Sequence, residues 1–431
     1  MSSSGSEEIR LSVDHLFRHH AGQMVATLTR IFGIERLDQV EDAVQDALVT
    51  ALRRWPYEPV PQNPLAWLIQ VAKNRMLDRV RHDRRNLSEE TLTDSIRELV
   101  VDSREHSTLF TREMQDDQLR LIFTCCHPAI PPDSQVALTL KTVGGFSASE
   151  IARAFLAREA AVTKMLVRAR QRLREKQIAL AMPLPASLPA RLDSVLQVLY
   201  LMFNEGYSAL EGEELVRTDL CYEAMRLSAL LAAHPSSGTP KTHALAALLF
   251  FQGARLGGRA GKAGELLILA EQDRSLWNPS LLRLGLMHLK SSARGDEVTD
   301  YHLEAEIASC HALAETFDAT DWFRVLACYE ELLRRNPSPV VALNRVVALA
   351  RVMGAEAGLR ELEKLHGHRA LRNYYPLFAT HGELLRQAGR TVEASESYRG
   401  ALALTSSEPV RKFLIRRITE TTPTAGAAPL R

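Results

Sequence analysis

The sequence predicts an all-α protein, and three observations on its 431 residues support this fold class. Apolar residues recur at spacings of three and four in almost every segment, which is the period of an amphipathic helix. The alternation of apolar and polar residues that marks a strand is nearly absent. Proline-rich stretches at 56–64 and 182–189 interrupt the helical pattern and predict loops or boundaries. We therefore expect several helical domains in series.

Composition and charge are those of an ordinary globular protein, with 46% hydrophobic residues, 24% charged residues and a formal net charge of +1. The net charge does not indicate a nucleic-acid partner, so the distribution of charge matters instead. No apolar run approaches the ~18 residues of a membrane span. The N-terminal MSSSGSEEIR lacks the layout of a signal peptide. Five cysteines, an odd number, are typical of free thiols, so we expect a cytoplasmic protein away from the membrane.

The N-terminal part combines an acidic helix with a basic one. Residues 38–55 predict a helix with one apolar face. Its other face carries four polar residues: Glu41, Asp42, Gln45 and Asp46. The stretch 56–64 predicts a stiff loop, and Pro64 suits the first position of a helix over 64–82. The second helix carries several Lys and Arg residues outside its apolar face.

A stretch in the middle, FSASEIARAFLAREAAVTKMLVRARQRLR (146–174), predicts a short helix, a turn and a longer helix. Ser147 and Glu150 form a capping-box pattern at the start of the first helix. The longer helix has four apolar residues on one face: Val162, Leu166, Ala169 and Leu173. Between Arg153 and Lys176 there are eight Lys or Arg and two Glu. This pattern indicates a DNA-binding helix-turn-helix, and the alternative is an ordinary helical hairpin with a solvated basic face.

Together, these motifs resemble bacterial sigma factors of the extracytoplasmic-function type. The acidic DAVQD followed by AWLIQVAKNRMLDRVR is similar to their second conserved region. The basic helix-turn-helix ending in VRARQRLR is similar to their fourth region. The resemblance implies a protein that has no catalytic residues, metal or cofactor and is not an enzyme. It also implies two partners: promoter DNA and the RNA polymerase core, through the beta-prime and beta subunits.

The resemblance further implies roles for individual residues. The motif that docks on the polymerase matches Asp42, Gln45 and Asp46, and an acidic patch suits a basic partner. The segment that opens and holds the −10 element offers base and phosphate contacts at five positions: Asn63, Trp67, Arg75, Arg79 and Arg81. The −35 element would meet four residues of the helix-turn-helix: Arg158, Thr163, Lys164 and Arg168. The alternatives are a solvated face for the acidic patch and a core position for Trp67.

The C-terminal half contains a degenerate repeat. Thr320, Gly354 and Gly389 mark corresponding positions of three helix-loop-helix units, at spacings of 34 and 35 residues. Tyr329 and Pro337 lie eight apart, as in tetratricopeptide repeats. Stacked helix pairs in a solenoid are expected, and a non-solenoid helical bundle is the alternative. The string LYLMFNEGYSA and its surroundings are similar to a subgroup of these sigma factors that carries a tetratricopeptide-like extension.

The predicted organisation has four parts. Residues 1–87 form the region 2 domain, 88–112 a linker, 113–180 the region 4 domain with the helix-turn-helix, and 181–431 a larger helical, tetratricopeptide-like regulatory domain. We expect a sigma factor whose activity is modulated in cis by this last domain, which would also be the site for a protein regulator. The alternative function is a stand-alone helix-turn-helix regulator with a tetratricopeptide-like sensor domain.

Two further features concern a Cys-Cys-His sequence and two positions of the helix-turn-helix. Cys125, Cys126 and His127 are adjacent, but no second Cys/His pair follows at zinc spacing, so buried thiols at a helix end are expected. Leu156 and Met165 differ from the residues that are usual at these positions in the sigma factors that the sequence resembles. These differences concern the promoter sequence that would be recognised.

Overall fold

The computed structural model describes residues 20–84, 107–154, 157–207 and 218–422. In these stretches the chain forms 18 α-helices and short 3₁₀ turns, without a strand. The predicted all-α class is confirmed. None of the helices described has the length and apolar character that crossing a membrane requires. The chain divides into two compact units, residues 1–202 and 203–431.

The N-terminal unit contains seven of the described helices and most of an eighth. The first, α1, spans 20–32, and the others follow in chain order: α2 (Leu37–Arg54), α3 (Pro64–Arg84), α4 (Ser107–Cys125), α5 (Pro132–Thr142), α6 (Ala148–Ala154), α7 (Glu159–Glu175) and α8 (Leu188–Tyr207). The division between the units falls inside α8, whereas the predicted domain boundary at 181 precedes this helix. Residues 88–106 of the predicted linker lie outside the described residues, as do Phe155 and Leu156.

The helices of this unit begin where local chemistry predicts. The side chain of Asn63 accepts a hydrogen bond from the backbone N–H of Ala66 at 3.0 Å, which caps α3 behind its initial proline. Ser147 and Glu150 form the predicted capping box, with reciprocal backbone-to-side-chain bonds of 2.8 and 3.1 Å. The apolar faces of α2 and α3 pack together. At the end of this hairpin where the loop joins the two helices, the rings of Trp55 and Trp67 lie 5.5 Å apart.

The C-terminal unit contains ten further described helices in chain order. They are α9 (Thr218–Ala233), α10 (Pro240–Ala254), α11 (Pro279–Ser292), α12 (Asp300–Leu313), α13 (Trp322–Arg335), α14 (Pro339–Met353), α15 (Ala355–Glu363), α16 (Tyr375–Gln387), α17 (Thr391–Ala403) and α18 (Glu408–Thr421). Helix α10 is central, because it packs against α9, α11 and α12 and buries nearly its whole length. A helix that is apolar all round belongs in such a position.

The last six helices form three consecutive pairs. The pairs begin at Trp322, Ala355 and Thr391, which are 33 and 36 residues apart. Gly354 and Gly389 stand just before the second and third pairs with φ of 91° and 77°, a backbone conformation that favours glycine. Each helix packs on the next along the chain. The three positions that the sequence marks as corresponding thus lie one or two residues before the first helix of a pair.

A close approach of two helices holds the third pair to the second. Gly382 of α16 leaves room for the ring of Tyr398 on α17, since a Cβ there would lie 2.9 Å from ring carbons. Tyr398 is fully buried, and its hydroxyl donates to Glu383 at 2.9 Å. Ala394 and Ala401 on the same face are also fully buried. This core joins α14 to α18 into one cluster.

Candidate functional site

Helix α2 presents the acidic residues of the predicted polymerase-binding motif to solvent. Asp42, Gln45 and Asp46 are all exposed, and we call these three residues the acidic patch. They are exposed because the apolar positions Val40, Ala43, Val44 and Ala47 turn the opposite face of the helix into the core. The patch can therefore meet a basic partner surface.

Arg79 of α3 lies against this patch. Its guanidinium forms an ion pair with Asp46 at 2.9 Å, reaches Asp42 at 3.8 Å, and donates to the backbone oxygen of Gln39 at 2.9 Å. The sequence predicts a contact of Arg79 with DNA phosphates, whereas in the structure its guanidinium lies at the acidic patch. As long as these pairs persist, Arg79 reduces the negative charge of the patch.

The other residues predicted for the −10 element lie along the first turns and outer face of α3. Asn63 is exposed, and its side-chain oxygen is occupied by the cap on α3, which leaves its amide NH₂ toward solvent. Trp67 is half-buried and packs on Trp55. Its ring therefore lies partly in the core and is partly accessible to an unstacked base. Arg75 and Arg81 are exposed, and Arg81 lies 3.5 Å from Asp78.

Helices α6 and α7 form the predicted helix-turn-helix. Val162, Leu166, Ala169 and Leu173 are buried, as their spacing predicts. The residues predicted to meet the −35 element are exposed: Arg158 immediately precedes α7, and Thr163, Lys164 and Arg168 lie on the side of α7 opposite its buried residues. We call these four residues the outer face of α7. Within the part of the chain that the structure describes, its three cations form no ion pair, so they are available for phosphates or base edges.

Next to the buried residues of α7, Arg170 makes contacts with α2. Arg170 forms ion pairs with Asp38, at 2.8 Å, and with Glu41. The hydroxyl of Thr142, at the end of α5, donates to Glu41 at 2.6 Å. We call Asp38, Glu41, Thr142 and Arg170 the Glu41 cluster. It joins the segment that resembles region 2 to the segment that resembles region 4.

The charge of Glu41 is controlled by its burial. The residue is 6% exposed, and burial raises the pKa of its carboxyl above the ordinary range. The neighbouring guanidinium of Arg170 and the hydroxyl of Thr142 act in the opposite direction and stabilise the carboxylate in part. Removing either neighbour therefore leaves a buried acid with less compensation.

A second contact joins the same two segments. Asp117 of α4 is 1% exposed and pairs with Arg30 of α1 and Arg120 of α4, each at 2.8 Å. Gly22 of α1 is so close to α5 that a Cβ at this position would lie 1.9 Å from the backbone oxygen of Val143. The contact between α1 and the α4–α5 corner thus tolerates no side chain at position 22.

The prediction that Glu41 lies on the exposed acidic face is wrong. The residue sits at helical spacing with Leu37, Val44 and Leu48, all of which are buried, so its position in the apolar stripe was a signal for burial. No local pattern indicates the partner of Glu41, because Arg170 lies 129 residues further along the chain.

Four of the five cysteines are buried thiols, and Cys310 is half-buried. Cys125 and Cys126 are fully buried at the end of α4, and burial raises the pKa of Cys126 to about 12. Burial also raises the pKa of the three other cysteines, Cys221, Cys310 and Cys328. Among the described residues no group of three or more His, Cys, Asp or Glu is arranged to hold a metal ion.

Comparison with known proteins matches three parts of the chain to family models. Residues 16–86 match sigma-70 region 2, residues 120–173 match sigma-70 region 4, and residues 191–293 match a family of unknown function, DUF6596. An uncharacterized protein of Rhizobium meliloti (strain 1021) is 39% identical over 393 residues, covering 89% of this chain and 90% of the relative. No solved structure matches.

These observations define a sigma factor of the sigma-70 family, a class of non-enzymatic factors that bind the RNA polymerase core and promoter DNA and direct promoter-specific initiation of transcription. Within that family, the chain belongs with the extracytoplasmic-function-like sigma factors that carry a C-terminal extension.

The Glu41 cluster predicts a stability difference between two arginines of one helix. Arg170→Ala leaves Glu41 buried without its cation, so we expect a loss of about 3 kcal/mol in the free energy of unfolding. The loss should be smaller at pH 5 than at pH 8, because the raised pKa lets Glu41 take up a proton. Urea denaturation of the full chain, followed by circular dichroism, measures both effects.

Arg168→Ala is the matched control, since Arg168 is exposed on the same helix two residues away. Its expected change is within about 0.5 kcal/mol at both pH values. Equal effects of the two substitutions would show that the Glu41 cluster does not hold α2 and α7 together.

Proposed function

We propose that this sigma factor binds the polymerase core through the acidic patch and reads promoter DNA with two separate basic surfaces. The segment from Asn63 through Trp67 to Arg81 acts on the −10 element, with Asn63 and Trp67 toward unstacked bases and Arg75, Arg79 and Arg81 toward phosphates. The outer face of α7 acts on the −35 element. The observation that carries the proposal is the exposure of both the acidic patch and the outer face of α7 on helices whose other faces are buried.

The physical division of labour follows from charge. A carboxylate-rich helix face attracts a basic partner and repels DNA phosphates, so the acidic patch suits protein docking. Arg79 serves both surfaces in turn. When a basic surface of the polymerase takes over Asp42 and Asp46, Arg79 is released from its ion pairs and becomes available to a phosphate. Docking on the polymerase would thereby increase the positive charge that faces DNA.

Paired substitutions separate the two roles. Asp42→Lys with Asp46→Lys should weaken binding to core polymerase roughly tenfold or more, since each reversal places like charges opposite each other. Lys164→Ala with Arg168→Ala should leave core binding unchanged. It should weaken promoter binding by the holoenzyme and reduce the slope of log K against log salt by about 2.

Controls of equal charge change are available on exposed positions. Glu58→Lys with Asp133→Lys matches the first pair, and Arg360→Ala with Arg399→Ala matches the second. Core binding is measured by pull-down and promoter binding by gel shift at several salt concentrations. Undiminished core binding after reversal of Asp42 and Asp46 would refute the docking role, and an unchanged salt slope would refute the role of α7.

We further infer that the α2–α7 contact belongs to the free protein and opens on the promoter. The −10 and −35 elements lie about 25 base pairs apart, which at 3.4 Å per base pair is about 85 Å of duplex. In the structure, by contrast, Arg170 of α7 is in direct contact with Glu41 of α2. One unit cannot keep this contact and read both elements at once, so the Glu41 cluster must break.

Energy transfer between two dyes tests this opening. Leu52→Cys on α2 and Gln171→Cys on α7 place labels on exposed positions of the two helices. The native cysteines compete poorly for labelling, because four are buried and burial raises the pKa of all five. Transfer should be high in the free protein and fall on the promoter-bound holoenzyme. Unchanged transfer in that complex would contradict the inference.

We also propose that the C-terminal unit is a tetratricopeptide-like solenoid that regulates the sigma activity in cis and offers a site for a protein regulator. Support comes from three consecutive helix pairs whose starts are 33 and 36 residues apart, a period typical of such repeats. The relative from Rhizobium meliloti shares 90% of its length with this chain, so it carries the extension too. Because its partners are polymerase and promoter, the protein acts in the cytoplasm.

Removal of residues 208–431 tests the regulatory role. This variant keeps α8, whose Leu192, Val195, Leu196 and Leu199 are buried and whose Arg191 donates to the backbone oxygen of Phe123. We expect transcription in vitro to change at least severalfold relative to the full chain while binding to core polymerase persists. Equal activity and promoter choice in the two proteins would remove the regulatory role.

A further inference from the structure

The C-terminal unit contains a half-open cavity of about 740 Å³ that the sigma activity does not use. Helices α13, α14, α16 and α18 contribute to its walls, together with the segment before α11. Five aromatic residues line it: Phe317, Trp322, Tyr329, Tyr375 and Phe413. Aliphatic side chains such as Val325 and Leu384 fill most of the remaining wall. Its volume and apolar lining are those of small-molecule sites in proteins, which span roughly 300–1,000 Å³.

Most of the charge on the cavity wall is already paired. Arg386 forms an ion pair with Glu383 at 2.6 Å. Arg417 pairs with Glu271 at 2.9 Å and with Glu420 at 2.8 Å. These residues hold α16, α18 and the preceding loop together, and their charges are compensated without a ligand.

Arg351 is the exception among the cations that line the described cavity. Its guanidinium stacks over the ring of Phe317 at 4.3 Å and lies 5.6 Å from the centre of the Trp322 ring. No carboxylate of the described residues forms an ion pair with it. Stacking engages the face of the guanidinium and leaves the N–H donors in its plane free, which is the geometry that a carboxylate accepts with both oxygens.

A second polar group lies on the same side of the cavity. His311 lines the wall next to Trp322, with the two rings 5.2 Å apart. Its buried Nδ1 has no hydrogen-bond partner within the described structure. Buried polar atoms are normally paired, so an unpaired one indicates a missing partner. Burial and the nearby arginines lower the pKa of His311 to about 4, and a neutral ring can donate or accept one hydrogen bond.

We propose that this cavity binds a small amphipathic carboxylic acid, with an aromatic or branched apolar body among the aromatic side chains and its carboxylate paired with Arg351. A single unpaired guanidinium matches one negative charge, whereas a phosphate ester would bring nearly two charges to a wall whose other cations are occupied. The neutral ring of His311 can bind one further polar group of the ligand. The site goes beyond the promoter-binding role, and ligand binding to it can be measured without polymerase or DNA.

Pyrenebutyrate and its neutral amide form a matched pair of fluorescent probes for the full chain. The acid should bind with one site per chain and at least tenfold more tightly than the amide. Arg351→Gln should bring the two affinities within about twofold of each other. Arg360→Gln, an exposed arginine of α15 that does not line the cavity, should leave the preference for the acid unchanged.

Filling the cavity distinguishes it from other apolar surfaces. Ala379 lines the wall, and Ala379→Trp should abolish binding of both probes. Circular dichroism and thermal unfolding check that this variant is folded, and Arg351→Gln provides a test at an exposed residue if it is not. Failure of pyrenebutyrate to bind the native chain, or an equal preference for the acid in Arg351→Gln, would overturn the proposal.

Discussion

The buried contact between Glu41 and Arg170 holds the N-terminal unit in its observed arrangement. Burying both charges costs several kcal/mol of hydration free energy. Their mutual attraction offsets much of this cost only because Asp38 pairs with Arg170 and the hydroxyl of Thr142 donates to Glu41. Such a pair contributes little net stability while it is intact and is costly to leave half-broken. It therefore favours two states, one with all partners in place and one with both charged groups fully returned to water or to new partners.

The same two helices carry different surfaces on different sides. Helix α2 uses Asp38 and Glu41 for the internal contact and keeps Asp42, Gln45 and Asp46 exposed. Helix α7 uses Arg170 and Arg174 toward α2 and keeps Lys164 and Arg168 exposed. A helical period of 3.6 residues makes this separation possible within one or two turns. The unit can thus approach a polymerase or a duplex before the internal contact is broken.

The sequence predicted what depends on local pattern. The capping box at Ser147 and Glu150, the buried stripe of α7 and the start of α3 at Pro64 all involve residues within one or two turns, where spacing alone decides the structure. The pairings of Glu41 with Arg170 and of Arg79 with Asp46 were not predicted, since they join residues 129 and 33 positions apart. Arg351 was missed for the same reason, because its stacking on Phe317 depends on how the segment between α12 and α13 lies against α14.

The burial of the thiols restricts how a cell can signal to this protein. A redox-sensing cysteine must be accessible and ionised, because the thiolate is the species that oxidants and electrophiles attack. Four of the five cysteines are buried, and at the half-buried Cys310 burial and the nearby Glu306 raise the pKa of the thiol to about 11. The neutral thiol dominates at each of these positions near physiological pH. Signals are therefore not expected to reach this factor by oxidation of its own sulfur atoms.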